Sequence, residues 1–256
     1  MKYTSLDVRM KRYEAVSDIV LMRRTPVILR MDGSHFHTFT RGFEKPFDSV
    51  MMAAMQKTME ALCNDIQGAV FGYTQSDEIT IVLCDYKTLE TSAWFDNRLE
   101  KLCSVGASKA SRYFNKFFIE VVEEKISTDY SLSDKLRDKY RSRYFTADFD
   151  CRAFNIPKEE VCNCVIWRQN DAEKNSIQSL AQSLYSHKEL NGLKCNQLQN
   201  KMFTEKGVNW SELPTYCKRG SACIKDENGK WFIDYDMPIL KENRDYLERF
   251  GYCEEE

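Results

Sequence analysis

The chain has little histidine, three residues in 256, and its ten cysteines are scattered at 63, 84, 103, 151, 162, 164, 195, 217, 223 and 253 without a CxxC pair. A structural zinc site needs clustered soft ligands, which argues against that class. The cysteines read as small core residues, and no disulfide framework is expected. No apolar run approaches the ~20 residues of a membrane span. The opening stretch MKYTSLDVRMKRYE lacks an apolar signal core. A cytoplasmic protein without a membrane partner is therefore expected. Charge of one sign is also missing: 37 basic residues face 39 acidic ones. Any nucleic-acid surface must then be a local basic patch. There is no internal repeat and no low-complexity linker. What is present is an ordinary soluble composition, in a chain long enough to bury a substantial core.

Two stretches organise the rest. VILRMDGSHFHTF, residues 27–39, begins as a buried strand at 27–31 and ends in an acid-glycine step, Asp32-Gly33. YTQSDE, residues 73–78, is an acidic turn ahead of the apolar run 79–83. Strands at 69–73 and 79–83 around it make a hairpin. Before the first strand, 5–19 reads as an amphipathic helix capped by Ser5, with Leu6, Met10 and Tyr13 at helical spacing. Arg24-Thr25-Pro26 breaks the chain. After it, 49–63 is a helix whose Met51, Met52, Met55 and Met59 read as core packing.

Residues 91–122 read as one long helix. On it Arg98, Lys101, Lys109, Arg112 and Lys116 share an arc, and Leu99, Ala110, Phe114, Phe117 and Val121 share another. The basic arc is either a solvated face or a polynucleotide contact. A second basic stretch, Lys135 to Arg143, has no assignable conformation, and 145–154 alternates as a fourth strand.

Strand, helix, strand, strand, helix, strand is the split βαβ, ferredoxin-like order, hence an α+β fold resembling a polymerase palm. It sets the first and third strands side by side and antiparallel. The end of the first, with Asp32, then meets the start of the third, with Asp77. After Pro157 the pattern changes: a helix at 159–185, a short helix at 195–203, a hairpin of 216–224 with 230–235, and an acidic tail at 254–256. We expect a palm with its N-terminal helix over 1–156 and a smaller fingers-like region over 157–256.

Two partly buried carboxylates repel each other unless a cation lies between them. Magnesium takes oxygen ligands, and two ions stabilise both the attacking and the leaving oxygens of a phosphoryl transfer. Gly33 lets the backbone approach a phosphate or offer its carbonyl to a metal. Ser34, His35, Phe36 and His37 follow with amides suited to a triphosphate. Lys45 and Arg98 are candidate phosphate clamps. His35 and His37 read as loop-packing or base-stacking residues rather than metal ligands.

The joint motifs carry a resemblance. RMDGSHFHTF at 30–39, KPFD at 45–48, GYTQSDE at 72–78, Trp94 with Phe95, Arg98 and Lys101, WRQND at 167–171, Asn175-Ser176 and ELPTYCKRG at 212–220 follow one another across nearly the whole chain. It resembles the tRNA(His) guanylyltransferase family, the 3′-to-5′ polymerases. The resemblance implies a nucleotidyltransferase that activates a tRNA 5′ end with ATP or GTP. The 3′-hydroxyl of an incoming nucleotide then attacks the activated phosphate. It implies two magnesium ions on Asp32, Asp77 and the Gly33 carbonyl. Gly33 to His37 and Ser76 would contact triphosphate and base. Lys45, Asp48, Arg98 and Lys101 would serve activation or transfer, and Glu78 matches the acid after the metal-binding aspartate. Lys101, Lys109, Arg112, Lys116, Asn175, Lys218 and Arg219 are candidate tRNA contacts. The family also implies a homotetramer.

One stretch departs from the pattern. Eukaryotic enzymes that add a guanylate to tRNA(His) carry His-Ile-Asn-Asn after WRQ, where this chain has Glu173-Lys174-Asn175-Ser176. The opening LDVRMKRYE is more similar to the bacterial and archaeal branch, which implies template-dependent repair of tRNA 5′ ends rather than untemplated guanylate addition. A nucleotidyl cyclase also places paired acids on a palm, and a non-catalytic RNA-binding module is a third class.

Overall fold

The computed structural model describes residues 5–248. In chain order the elements are α1 (Leu6–Glu14), β1 (Val27–Gly33), α2 (Phe36–Phe39), α3 (Ser49–Asp65), β2 (Ala69–Gln75), β3 (Glu78–Leu83), α4 (Leu99–Thr128), α5 (Asp134–Arg141), β4 (Phe149–Asn155), α6 (Glu160–Leu184), α7 (His187–Leu190), α8 (Cys195–Lys206), α9 (Thr215–Arg219), β5 (Ser221–Lys225), β6 (Trp231–Asp234) and α10 (Asp245–Glu248). The strands form one six-stranded sheet, ordered β4-β1-β3-β2-β5-β6, and every pairing is antiparallel. The first four strands in that order are the ferredoxin-like palm. The C-terminal hairpin β5–β6 extends the same sheet through β2.

Both faces of the sheet are covered, which is why β1 reads as a continuous apolar run. Val27, Leu29 and Met31 face the core built with α3 and α4. Ile28 on the opposite face packs with Val82, Tyr73 and the α6 residues Val161 and Val165. A smaller third core joins the end of α6 to α8 through Ile177, Leu180, Ala181, Leu198 and Met202. Ser5 caps α1 by accepting from the Val8 amide. Asp48 caps α3 by accepting from the Met51 amide.

Several expectations change. The long helix begins at Leu99, not 91, because Phe95, Asp96 and Asn97 take left-handed backbone angles, φ 50°, 52° and 59°. Arg98 is therefore the residue before the helix and forms a β-bridge with Val20. The buried stripe of α4 runs through Leu102, Gly106, Ala110, Phe114, Phe118, Val121 and Val122, while Leu99 and Phe117 are half-buried. The stripe is shifted because α4 packs on α3 and on the sheet together. The fourth strand starts at Phe149, and Phe145 is an exposed residue at φ 59°. The late hairpin forms between β5 and β6, but its first limb starts at Ser221, because 216–219 belong to α9, which Gly220 ends at φ 81°. The basic stretch 135–143 lies largely in α5, capped by Ser133. Among the described residues eight cysteines are free, but Cys84 is disulfide-bonded, which scattered spacing did not suggest. Among the described residues no helix is long and apolar enough to cross a membrane. The acidic tail at 254–256 lies outside the described residues.

Candidate active site

Asp32 is the last but one residue of β1 and pairs across the sheet with Glu78, the first residue of β3. Asp77 is the residue before it, in a two-residue turn whose Ser76 adopts a left-handed φ of 50°. The Gly33 amide donates to the Asp77 carbonyl at 3.0 Å, tying the two strand ends together. An added Cβ at Gly33 would stand 2.4 Å from the Phe36 ring, so only glycine fits there. Burial pushes the Asp77 carboxyl above its ordinary range; the Ser76 side chain opposes this, and the Asp32 charge adds to the rise. A hard cation beside both acids would relieve that repulsion. Among the described residues no group of three or more histidine, cysteine or acidic side chains is placed to hold a metal. The remaining ligands would be backbone carbonyl, water and phosphate oxygens, a set that fits magnesium rather than a soft metal.

Glu78 is engaged elsewhere. Arg168 Nε donates to Glu78 Oε1 at 2.6 Å, and Arg30 lies 3.9 Å from Oε2. Burial raises the Glu78 carboxyl, and Arg168 opposes the rise. Both guanidiniums lie against the Trp167 ring, 4.5 and 5.4 Å from its centroid. The WRQ segment is thus a clamp on the strand that carries the acids.

A cavity of about 400 Å³ opens beside the turn, between α3, the end of β2, α6 and α9. Of the residues expected at the site, Phe36, His37, Lys45, Asp48, Ser76, Asp77 and Asn175 line it. Asp32, Gly33, Ser34 and His35 stand outside that lining, on the strand end and the turn beside it. Asp48 has both carboxylate oxygens occupied, by the amides of Glu44 and Met51 and by the Tyr140 hydroxyl. It holds the 44–48 loop in place and offers the cavity no free oxygen. Met51, Met52 and Met55, read from sequence as core, also wall the cavity. Thr40, Gln56, Ser179, Tyr216 and Ser221 line it too. Apart from Tyr216, which lies in the ELPTYCKRG motif, no local pattern singles them out.

Other expected residues are placed differently. Arg98 is at the far end of the sheet, in a two-bond ion pair with Asp18. Its neighbour Asn97 donates to the Met22 carbonyl and to Asp85, before the start of β1 and after the end of β3, whereas Asp32 lies near the other end of β1. Lys101 lies one turn further along α4, next to Leu102, whose carbonyl is 3.9 Å from Cys151 Sγ. Lys109 and Arg112 share Asp65, and Lys116 lies near Glu120, so the basic face is partly paired. Lys218 is buried and donates to the Ser211 carbonyl; burial, then the neighbouring Arg219, lowers its pKa. Arg219 donates to Glu173 at 2.9 Å. Neither is the open surface cation that its motif implied, because α9 packs against α6.

A palm bearing two acids at adjacent strand ends, with an open cavity beside them, is the architecture of a nucleotidyltransferase. This chain belongs to one family of them: the family described as Thg1, tRNAHis guanylyltransferase, matches residues 7–157. The fold is similar to that of a bacterial tRNA(His) guanylyltransferase (Thg1)-like protein in complex with ATP, at 42% identity and a TM-score of 0.85 over 97% of this chain and 100% of that one. A bacterial Thg1-like protein in complex with GTP matches at 38% identity and a TM-score of 0.79, over 98% of this chain and 100% of that one. In sequence the chain is 31% identical to an uncharacterized protein of Acanthamoeba polyphaga mimivirus, over 87% of this chain and 79% of that one. It is 24% identical to a probable tRNA(His) guanylyltransferase of Bos taurus, over 77% of this chain but 64% of the bovine protein.

Proposed function

We propose that the chain is a magnesium-dependent 3′–5′ nucleotidyltransferase that extends the 5′ end of tRNA, choosing the nucleotide by pairing with the opposite strand. The observation that carries this reading is the Asp32–Glu78 register with Asp77 in the adjoining turn, beside a cavity of nucleotide size. Asp32, Asp77 and the Gly33 carbonyl would hold two magnesium ions, whose chemistry is to offset charge on the phosphates and favour the attacking oxygen. The turn amides from His35 to His37, with Ser76, receive a triphosphate of ATP, GTP or another nucleotide, while the Ser34 amide is taken by the Asp148 carbonyl at 2.8 Å. Lys45 meets its negative charge at the cavity wall. Arg168 positions the acids through Glu78. The relatives solved with ATP and with GTP support a cavity that accepts both. In this reading residues 1–156 are the catalytic palm and 157–256 help hold tRNA. The α4 residues Lys101, Lys109, Arg112 and Lys116 face the tRNA backbone. The working form is a cytoplasmic homotetramer, in which Arg98 and Lys101 serve a neighbouring copy's substrate.

The stretch 173–176 supports templated rather than untemplated addition. Glu173 is bound to Arg219, and Ser176 donates to the Lys218 carbonyl, so this segment braces α6 on α9. Asn175 lines the cavity, and its side-chain amide both donates and accepts, so it does not select guanine alone. The test supplies 5′-truncated tRNAs with each of four template bases, magnesium and all four nucleotides. Joining of the complementary nucleotide is expected. Guanylate added regardless of template, or only to the tRNA(His) anticodon, would replace this reading with guanylate addition.

A further inference from the structure

Gln56 on α3 and Ser221 on β5 meet at the cavity wall, 165 residues apart in sequence, with Gln56 Nε2 donating to Ser221 Oγ at 2.9 Å. Gln56 is 9% exposed and Ser221 1%. Gln56 makes no other side-chain hydrogen bond among the described residues, which leaves its Oε1 for the cavity. Ser221 pairs in register with Thr74, three residues before Asp77. A path of about 10 Å along the strand therefore separates this pair from the metal-binding acids. That matches the reach from the phosphates of a nucleoside triphosphate to its base. Met51, Met52 and Met55 supply polarizable apolar walls suited to a flat ring.

We propose that Gln56 and Ser221 form a reversible two-point reader for the purine edge, which lets one cavity take both ATP and GTP. In the observed arrangement the amide oxygen accepts while the serine O–H donates. When the amide turns over, its Oε1 accepts from the serine, its Nε2 donates into the cavity, and Oγ accepts. The two states present opposite patterns, acceptor with donor and donor with acceptor. Adenine offers an N6 donor beside the N1 acceptor; guanine offers an O6 acceptor beside the N1 donor. Each purine thus meets a complementary state without a change in backbone. A fixed carboxylate or a lone hydroxyl has no such exchange.

This inference rests on the nucleotide reading of the cavity, and the test separates the two. The affinities of ATP, GTP and tripolyphosphate, which has no base, are measured by calorimetry with magnesium for wild type, Gln56→Leu and Gln56→Glu. Gln56→Leu should weaken ATP and GTP alike by about tenfold, the loss of one good hydrogen bond, and leave tripolyphosphate unchanged. Gln56→Glu should shift the ratio of ATP to GTP affinity, because a carboxylate only accepts. Unchanged nucleotide affinities in Gln56→Leu would overturn the reader while keeping the cavity. A parallel fall in tripolyphosphate affinity would overturn it as well, since the residue would then act on the whole site. Failure of wild type to bind either nucleotide would overturn the reading of the cavity itself.

Discussion

Arg168 Nε donates to Glu78 Oε1 at 2.6 Å, with both side chains buried. The pair links the strand after the acidic turn to α6, 90 residues later. Arg168→Met leaves Glu78 buried with only Arg30 nearby. Breaking a buried pair from one side costs about 3 kcal/mol, read as a lower urea midpoint at unchanged slope. Adding Glu78→Gln should recover part of the loss, and no loss in Arg168→Met would show the pair to be dispensable.

Removing either acid proposed to hold metal should separate activity from stability. Asp32→Asn or Asp77→Asn removes a proposed ligand and should lower nucleotidyl transfer by at least about a hundredfold. The same change removes a like-charge repulsion, so the melting temperature without metal should hold or rise. Wild-type turnover by either purified variant would rule out the paired-acid site.

Gly220 has a backbone reason to be glycine. Its φ is 81°, and an added Cβ would lie 2.3 Å from the Thr74 carbonyl oxygen and 2.9 Å from the Tyr73 hydroxyl. Gly220→Ala should cost about 2 kcal/mol and loosen the β2–β5 pairing. Faster amide exchange over 221–225 than over β1 would show it; uniform protection would not.

The basic face of α4 has a salt-dependent signature. Alanine at Lys109, Arg112 and Lys116 together should weaken tRNA binding and lower the salt slope by about one per lost phosphate contact. Asp65→Asn frees Lys109 and Arg112 from their shared acid and should strengthen binding. An unchanged salt titration in both variants would leave these residues as a solvated face.

Asp65 also predicts a pH dependence. Hydrogen bonds from Lys109 and Tyr113 hold its carboxyl below the usual range. The folded pKa is lower than the unfolded one, so the unfolded chain takes the proton first. The contribution to stability is full above the ordinary aspartate pKa of about 3.9 and is lost as pH falls through the folded value. The stability gap between wild type and Asp65→Asn should therefore shrink on acidification from neutral pH. A gap independent of pH would exclude Asp65 as its source.

Spacing along the chain was enough for much of the palm. The apolar run of β1, the hairpin around Ser76 and Asp77, and their order among helices imply the antiparallel register that sets Asp32 beside Glu78. The joint motifs were enough for the family. What the spacing could not carry was partner choice. A helical period records which face is covered, not by what. Arg98 left the expected arc because three left-handed residues and the bridge to Val20 reverse the chain before α4. Lys218 became buried because α9 packs on α6, and Met51, Met52 and Met55 became cavity wall because α6 and α9 stop short of α3 there. The pairing of β5 with β2 brought Ser221 to Gln56. Such contacts depend on which distant surface completes a given face, and that is settled only when the whole sheet and its helices pack at once.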